Sequence, residues 1–95
     1  MKISEFQKHI EDIYFKKDSE RGVEGTYMWF AEEIGELTRA IRRDDDRENL
    51  EEEFADVLAW LVTLASIKGV DLEAVAKKKY AQGCPYCNAV PCTCP

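Results

Sequence analysis

Apolar residues recur at helical spacing along most of the chain, which predicts an all-α protein. The first predicted helix begins at Ser4, as N-cap, with Gln7 three residues on completing a capping box, and it ends near Lys17. A loop is predicted over 18–25, where two glycines interrupt the pattern. Three more helices are predicted at 26–43, 47–68 and 72–81; their proposed start and stop residues are Thr26, Asp46, Asp71 and Gly69.

The second and third predicted helices each carry an apolar stripe flanked by acidic residues. At about 100° per residue, one stripe contains Phe30, Ile34, Leu37 and Ile41, and the other contains Phe54, Leu58, Leu61 and Ala65. Glu33 and Glu36 lie together beside the first stripe, while Glu32 points further away. Glu53 and Asp56 lie beside the second. If these helices pack as a hairpin, four carboxylates converge.

Four converging carboxylates repel one another unless a cation offsets their charge. Mg²⁺ prefers oxygen ligands, and two such ions could act on both the attacking and the leaving oxygens of a phosphoryl group. Either acidic pair alone is typical of a solvated helix surface. Because a pair occurs on each of two adjacent helices, we favour a metal site.

The same residues carry a family resemblance. Glu32-Glu33-x-x-Glu36 followed by Glu53-x-x-Asp56 resembles the MazG-like nucleotide pyrophosphohydrolases, within the all-α nucleoside triphosphate pyrophosphatases. The resemblance covers roughly residues 5 to 81. It implies a Mg²⁺-dependent, house-cleaning hydrolase that cleaves a nucleoside triphosphate between the α and β phosphates, releasing monophosphate and pyrophosphate. It leaves the preferred base and sugar undefined.

The resemblance also implies residue roles. It implies Glu33, Glu36, Glu53 and Asp56 as Mg²⁺ ligands and includes Glu32 in the catalytic motif, where Glu32 or Glu36 could activate the water. Lys79 and Tyr80 would contact the triphosphate, although cations there also complement the dipole of a helix end. Trp29 could stack on the base or pack beside the apolar stripe. Arg21 could meet a phosphate or remain solvated.

The third helix becomes apolar on nearly every side from Val57 onward, which indicates burial on every side. In so short a chain this favours two hairpins pairing into a four-helix bundle. Dimers and tetramers are also what the resemblance implies. The expected fold is thus a helical hairpin with flanking helices, assembled as a homo-dimer or homo-tetramer.

The charge and composition of the chain argue against several classes of function. The net charge of −6 argues against nonspecific binding to nucleic acid or anionic membranes. The start lacks the apolar core of a signal peptide, and no apolar stretch is long enough to span a bilayer. We therefore expect a soluble cytoplasmic protein. The alternatives are a noncatalytic helical interaction module and a zinc-bearing adaptor.

All four cysteines lie in the tail, which we separate as residues 83–95 from a domain over 1–82. Cys84 and Cys87 match a redox Cys-x-x-Cys spacing, but no βαβ pattern surrounds them, so that match is treated as coincidental. Cys84, Cys87, Cys92 and Cys94 together supply four thiolates, enough for a structural Zn²⁺. Two disulfides and free thiols remain the alternatives.

Overall fold

The computed structural model describes all 95 residues as three helices without strands. Helix α1 spans Ile3–Arg43, α2 spans Arg47–Ile67 and α3 spans Leu72–Tyr80. The second half of α1 and α2 form an antiparallel hairpin, and α3 packs on α1. The prediction of an all-α fold is therefore confirmed.

Helix α1 contains one sharp kink, at Gly22. This residue has φ 77° and ψ 178°, a backbone conformation open almost only to glycine. The predicted loop over 18–25 is wrong, because the helix continues to Arg21 and resumes directly after Gly22. A single glycine absorbs the whole change of direction, so a longer loop is unnecessary.

Buried polar contacts hold this kink in place. Thr26 is fully buried, and its hydroxyl donates to the Gly22 carbonyl at 2.7 Å. The Arg21 guanidinium donates to Asp18 at 2.9 Å and to the Thr26 hydroxyl at 3.2 Å. Thr26 therefore braces the kink from inside α1, and its predicted place as the first residue of a separate helix is wrong. Gly25 leaves room for the arginine, since a Cβ there would lie 2.7 Å from Arg21 Cγ.

The N-terminal cap also differs from the prediction. Helix α1 begins at Ile3, and Glu5 accepts a hydrogen bond from the Lys2 backbone N–H, so Ser4 is not the cap. The predicted partner in that capping box, Gln7, is buried. Its amide donates to the Val70 carbonyl at 2.8 Å and accepts from the Leu72 N–H at 3.1 Å. Gln7 therefore ties α1 to the α2–α3 connection.

The remaining predicted boundaries agree with the structure. Asp46 and Asp71 cap α2 and α3 by accepting from backbone N–H groups three residues on, each at 3.1 Å. Asp44 ends α1 in the left-handed conformation, and Gly69, with φ 70°, follows the end of α2.

The core of a single chain is small. Only seven of the 95 residues are buried, among them Ile10, Ala40, Val62 and Ala65. Much of the two predicted stripes remains 40–54 % exposed; these residues, defined here as the apolar face, are Ile34, Ile41, Phe54, Leu58 and Leu61. The hairpin therefore does not cover this face. No helix combines the length and apolar character needed to cross a membrane.

Candidate active site

Carboxylates from both hairpin helices meet in one cluster. Oxygens of Glu33 on α1 and of Glu53 and Asp56 on α2 all lie within 4.8 Å of one another. The i, i+3 spacing of Glu53 and Asp56 places both on one side of α2, facing α1. The convergence expected from the helical spacing is therefore present for these three residues.

The electrostatics of this cluster are unfavourable for three bare charges. Partial burial raises the pKa of Glu33 to about 7, and the charges of Glu36, Asp56 and Glu53 add to the rise. Burial, and then the charges of Glu36 and Asp56, also raise the pKa of Glu53. Glu36 thus lies close enough to act on both residues, although its oxygens are not among those that lie within 4.8 Å of one another.

Two oxygen atoms of the cluster indicate whether it fits a metal ion. Glu33 Oε2 and Glu53 Oε2 are buried and have no hydrogen-bond partner. A buried carboxylate oxygen without a donor is costly, and a bound cation would satisfy it. An all-oxygen donor set is what Mg²⁺ prefers, so these residues fit that ion.

A polar cleft of about 550 Å³ opens on one side of the cluster. Glu36 and Glu53 line it together with Asn49, and two cations, Arg39 and Arg43, lie on its α1 wall. Neither arginine was predicted as a site residue. Their i, i+4 spacing beyond Glu36, on the same side of α1, is the signal that could have identified them.

An aromatic cavity of about 290 Å³ opens on the other side, next to Asp56. Trp60 and Tyr14 line it, and the positive charges of Lys17 and Arg21 are matched by two carboxylates in the same lining. The Arg21 guanidinium lies 4.8 Å from the centre of a Trp60 ring, a cation–π contact. No site role was predicted for Trp60, although it follows Asp56 by one helical turn.

Trp29 contacts this cavity through Trp60. The two rings stack with centroids 6.1 Å apart and planes 12° apart, and Trp29 remains 49 % exposed. Part of Trp29 is thus used in packing, and part is open to a ligand.

A comparison with known protein families identifies the family to which this chain belongs. A family model described as the MazG nucleotide pyrophosphohydrolase domain matches residues 21–88, more than half of the chain. The chain belongs to the MazG family. No curated protein matches it closely enough to add a relative.

The matched MazG region starts beside the Gly22 kink and includes the whole hairpin. Both acidic pairs therefore lie within the MazG domain, and residues of this domain line both cavities. The match continues past the predicted boundary at residue 82 and includes Cys84 and Cys87, so the division into 1–82 and 83–95 stays a prediction.

Three predicted site residues of the MazG domain lie apart from the cluster. Glu32 is exposed on the outside of α1. Lys79 and Tyr80 are exposed at the end of α3, with the lysine Nζ 5.6 Å from the tyrosine ring, and neither lines a cavity beside the carboxylates. The roles predicted for these residues stay predictions.

The four cysteines form a second cluster. All four sulfurs lie within 4.8 Å of one another, and none is in a disulfide. Hydrogen bonds from Thr93, chiefly its backbone N–H, lower the pKa of Cys87 to about 5. Hydrogen bonds with the other thiols, Cys92 first, raise the pKa of Cys94 to about 11.

Proposed function

We propose that this MazG protein hydrolyses a nucleoside triphosphate between its α and β phosphates, giving a nucleoside monophosphate and pyrophosphate. Glu33, Glu36, Glu53 and Asp56 would hold the Mg²⁺ that the reaction requires. The observation that carries the proposal is the pair of buried, unpartnered oxygens on Glu33 and Glu53, inside a domain of the pyrophosphohydrolase family. A bound cation would satisfy both oxygens, which no donor in the chain reaches.

Bound there, Mg²⁺ would neutralise phosphoryl oxygens and lower the pKa of a bound water. The chain's own contribution is to position and deprotonate that water. Glu36 is better placed for this than Glu32, because Glu36 is half-buried and borders the polar cleft, while Glu32 is exposed. We therefore assign Glu36 the role of ligand or base, and Glu32 none in direct contact with substrate.

The two cavities suggest how the nucleotide lies across the cluster. The aromatic cavity offers Trp60 to a nucleobase, whose faces stack on aromatic rings, and the exposed Trp29 lies beside it, stacked on Trp60. The polar cleft offers Arg39 and Arg43 to the departing pyrophosphate, which gains negative charge as the bond breaks. The phosphates would then cross the carboxylates between the two cavities.

The proposal includes a homo-oligomer. The apolar face leaves five large side chains about half exposed, and burying the exposed part of each is worth roughly 1 kcal/mol. A second copy would cover this face and complete a four-helix bundle from two hairpins. The cytoplasmic location and the house-cleaning role belong to the same proposal.

The decisive experiment measures pyrophosphate release from a panel of ribo- and deoxyribonucleoside triphosphates, with Mg²⁺ and with chelator. We expect Mg²⁺-dependent release that Glu53→Gln reduces by about 100-fold or more, because a ligand and its charge are lost. Glu52→Gln is the matched control: its residue is adjacent but exposed, so release should stay near that of the unmodified protein.

Two alternative functions would be considered if this experiment gave a negative result. If no nucleotide is hydrolysed and Glu53→Gln leaves Mg²⁺ binding unchanged, the enzyme proposal fails. The chain would then be treated as a helical interaction module that binds partners through its apolar face. The zinc-bearing adaptor would require the cysteine tail, rather than the hairpin, to carry the function.

A further inference from the structure

The cysteine tail has the features of a metal site separate from the carboxylates. We propose that Cys84, Cys87, Cys92 and Cys94 hold one Zn²⁺ in a self-contained tetrahedral site, independent of the Mg²⁺ cluster. The proposal does not rest on the nucleotide reaction, because no carboxylate of the hairpin takes part in it.

The spacing between the sulfurs fits one zinc ion. With Zn–S bonds of about 2.3 Å, the sulfurs at the corners of a tetrahedron lie about 3.8 Å apart. Sγ of Cys84 lies 3.8 Å from that of Cys94, and Sγ of Cys87 lies 3.9 Å from that of Cys92. The remaining pairs are within 4.8 Å, so a small contraction completes the tetrahedron.

Backbone N–H groups point at two of these sulfurs. The Thr93 N–H donates to Cys87 Sγ at 3.4 Å, and the Cys94 N–H donates to Cys92 Sγ at 3.3 Å. Such donors stabilise negative charge on metal-bound thiolates and hold the ligands in orientation. The bond from Thr93 joins the two cysteine pairs, while the bond from Cys94 lies within the second pair.

The loop that carries the first pair is closed by its own backbone. Cys84 donates its N–H to the Ala89 carbonyl at 3.1 Å, and the Asn88 N–H donates to the Cys84 carbonyl at 2.6 Å. Asn88 takes a left-handed conformation directly after Cys87. Gly83 has φ 124°, and a Cβ there would lie 2.8 Å from the Ala89 oxygen. This loop is therefore shaped to bring Cys84 and Cys87 together.

The tail makes no hydrogen bond to the hairpin. Its last backbone link to the helices runs from the Gly83 N–H to the Tyr80 carbonyl at the end of α3. Loading or emptying the tail should therefore leave the carboxylate cluster unchanged. Soft thiolates also select Zn²⁺ over Mg²⁺, whereas carboxylates suit Mg²⁺, so the two sites accept different ions.

The test measures metal in the full-length protein, purified under reducing conditions. We expect one zinc per chain by elemental analysis. Replacing zinc with Co²⁺ should give the intense thiolate-to-metal charge-transfer absorption and the visible bands of tetrahedral coordination. Cys92→Ser should lower zinc affinity by about tenfold or more. Tyr86→Ser changes an exposed non-ligand within the first cysteine pair and should retain full zinc.

Far-UV circular dichroism of each variant shows whether the helices remain folded, so loss of zinc is not confused with loss of the fold. The proposal is overturned if the reduced protein binds no more zinc than Cys92→Ser. It is also overturned if the protein isolated from cells has the mass of two disulfides and no zinc. Either result is independent of whether the carboxylate site hydrolyses nucleotides.

Discussion

The carboxylate cluster and the cysteine cluster both bring acidic side chains together, but they differ in how the negative charge is stabilised. Glu33 and Glu53 are held by two long helices, have buried oxygens without donors and have raised pKa values. Cys87 lies in a short irregular loop that supplies its own N–H donor, and its pKa is lowered. The carboxylates are left unsatisfied and need a cation to hold their charge, while the thiolate charge is already stabilised by the backbone.

This difference determines whether a bound metal ion can also bind a substrate. A metal ion bound by unsatisfied carboxylates beside two open cavities could also bind phosphate oxygens. Four thiolates surrounding one ion leave no open coordination position, as in structural zinc sites. The first cluster is therefore suited to chemistry and the second to holding the tail in shape.

Removing one metal at a time gives the largest expected contrast. Withdrawing Mg²⁺ should reduce pyrophosphate release by about 100-fold or more, because the charge stabilisation it supplies is worth several kcal/mol. Emptying the tail through Cys92→Ser should change release by less than about twofold, since no hydrogen bond joins the tail to the hairpin. Loss of release in Cys92→Ser with intact helices would show that the clusters are coupled.

Substitutions at two glycines of α1 test the stability of the long helix that carries Glu33. Gly22→Ala should lower the free energy of unfolding by about 1–3 kcal/mol, because alanine is strained at this φ and ψ. Gly35→Ala is the control: nothing in the chain lies within 4 Å of the added methyl group, and it should stabilise α1 by about 0.5–1 kcal/mol. Urea unfolding followed by circular dichroism measures both changes. Equal effects of the two substitutions would contradict a strained kink.

The smallest expected effect is a pH dependence of the folding stability that arises from the carboxylates alone. Glu33 has its pKa raised from 4.5 to about 7 in the folded chain, so the folded state binds the extra proton between these values. The stability that this proton contributes is present below the unfolded pKa and is lost as pH rises towards 7. Without Mg²⁺, the helices should therefore unfold at lower urea concentration at about pH 8 than at about pH 5.5.

Glu33→Gln is the matched variant for this measurement, because its amide has the same shape and does not titrate. It should weaken the pH dependence, and Mg²⁺ should weaken it in the unmodified protein. Greater stability of the metal-free protein at the higher pH would contradict the assigned direction.

Local sequence signals predicted most of the helices and part of the site. Asp46 and Asp71 act as caps because a side-chain oxygen at those positions needs only nearby N–H groups. Glu53 and Asp56 share one side of α2 because spacing on a regular helix determines which residues share a side. These features depend on neighbours within a few residues, so sequence patterns were enough.

Features that depend on distant residues were missed or misread. The glycines at 22 and 25 indicated a loop, but Thr26 and Arg21 hold the helix through the turn. Gln7 looked like part of a cap and instead bridges residues more than sixty positions away. The stacking of Trp60 with Trp29 likewise follows from the way α2 lies on α1.

The sequence by itself determined that this protein is helical, that acidic pairs lie on two adjacent helices and that four thiols gather in the tail. Those properties follow from periodicity and spacing. Only the tertiary structure decided that the carboxylates are partly buried between the helices while the apolar face stays exposed. Hydrophobic periodicity shows that a surface must be covered, but the partner that covers it depends on how the helices pack.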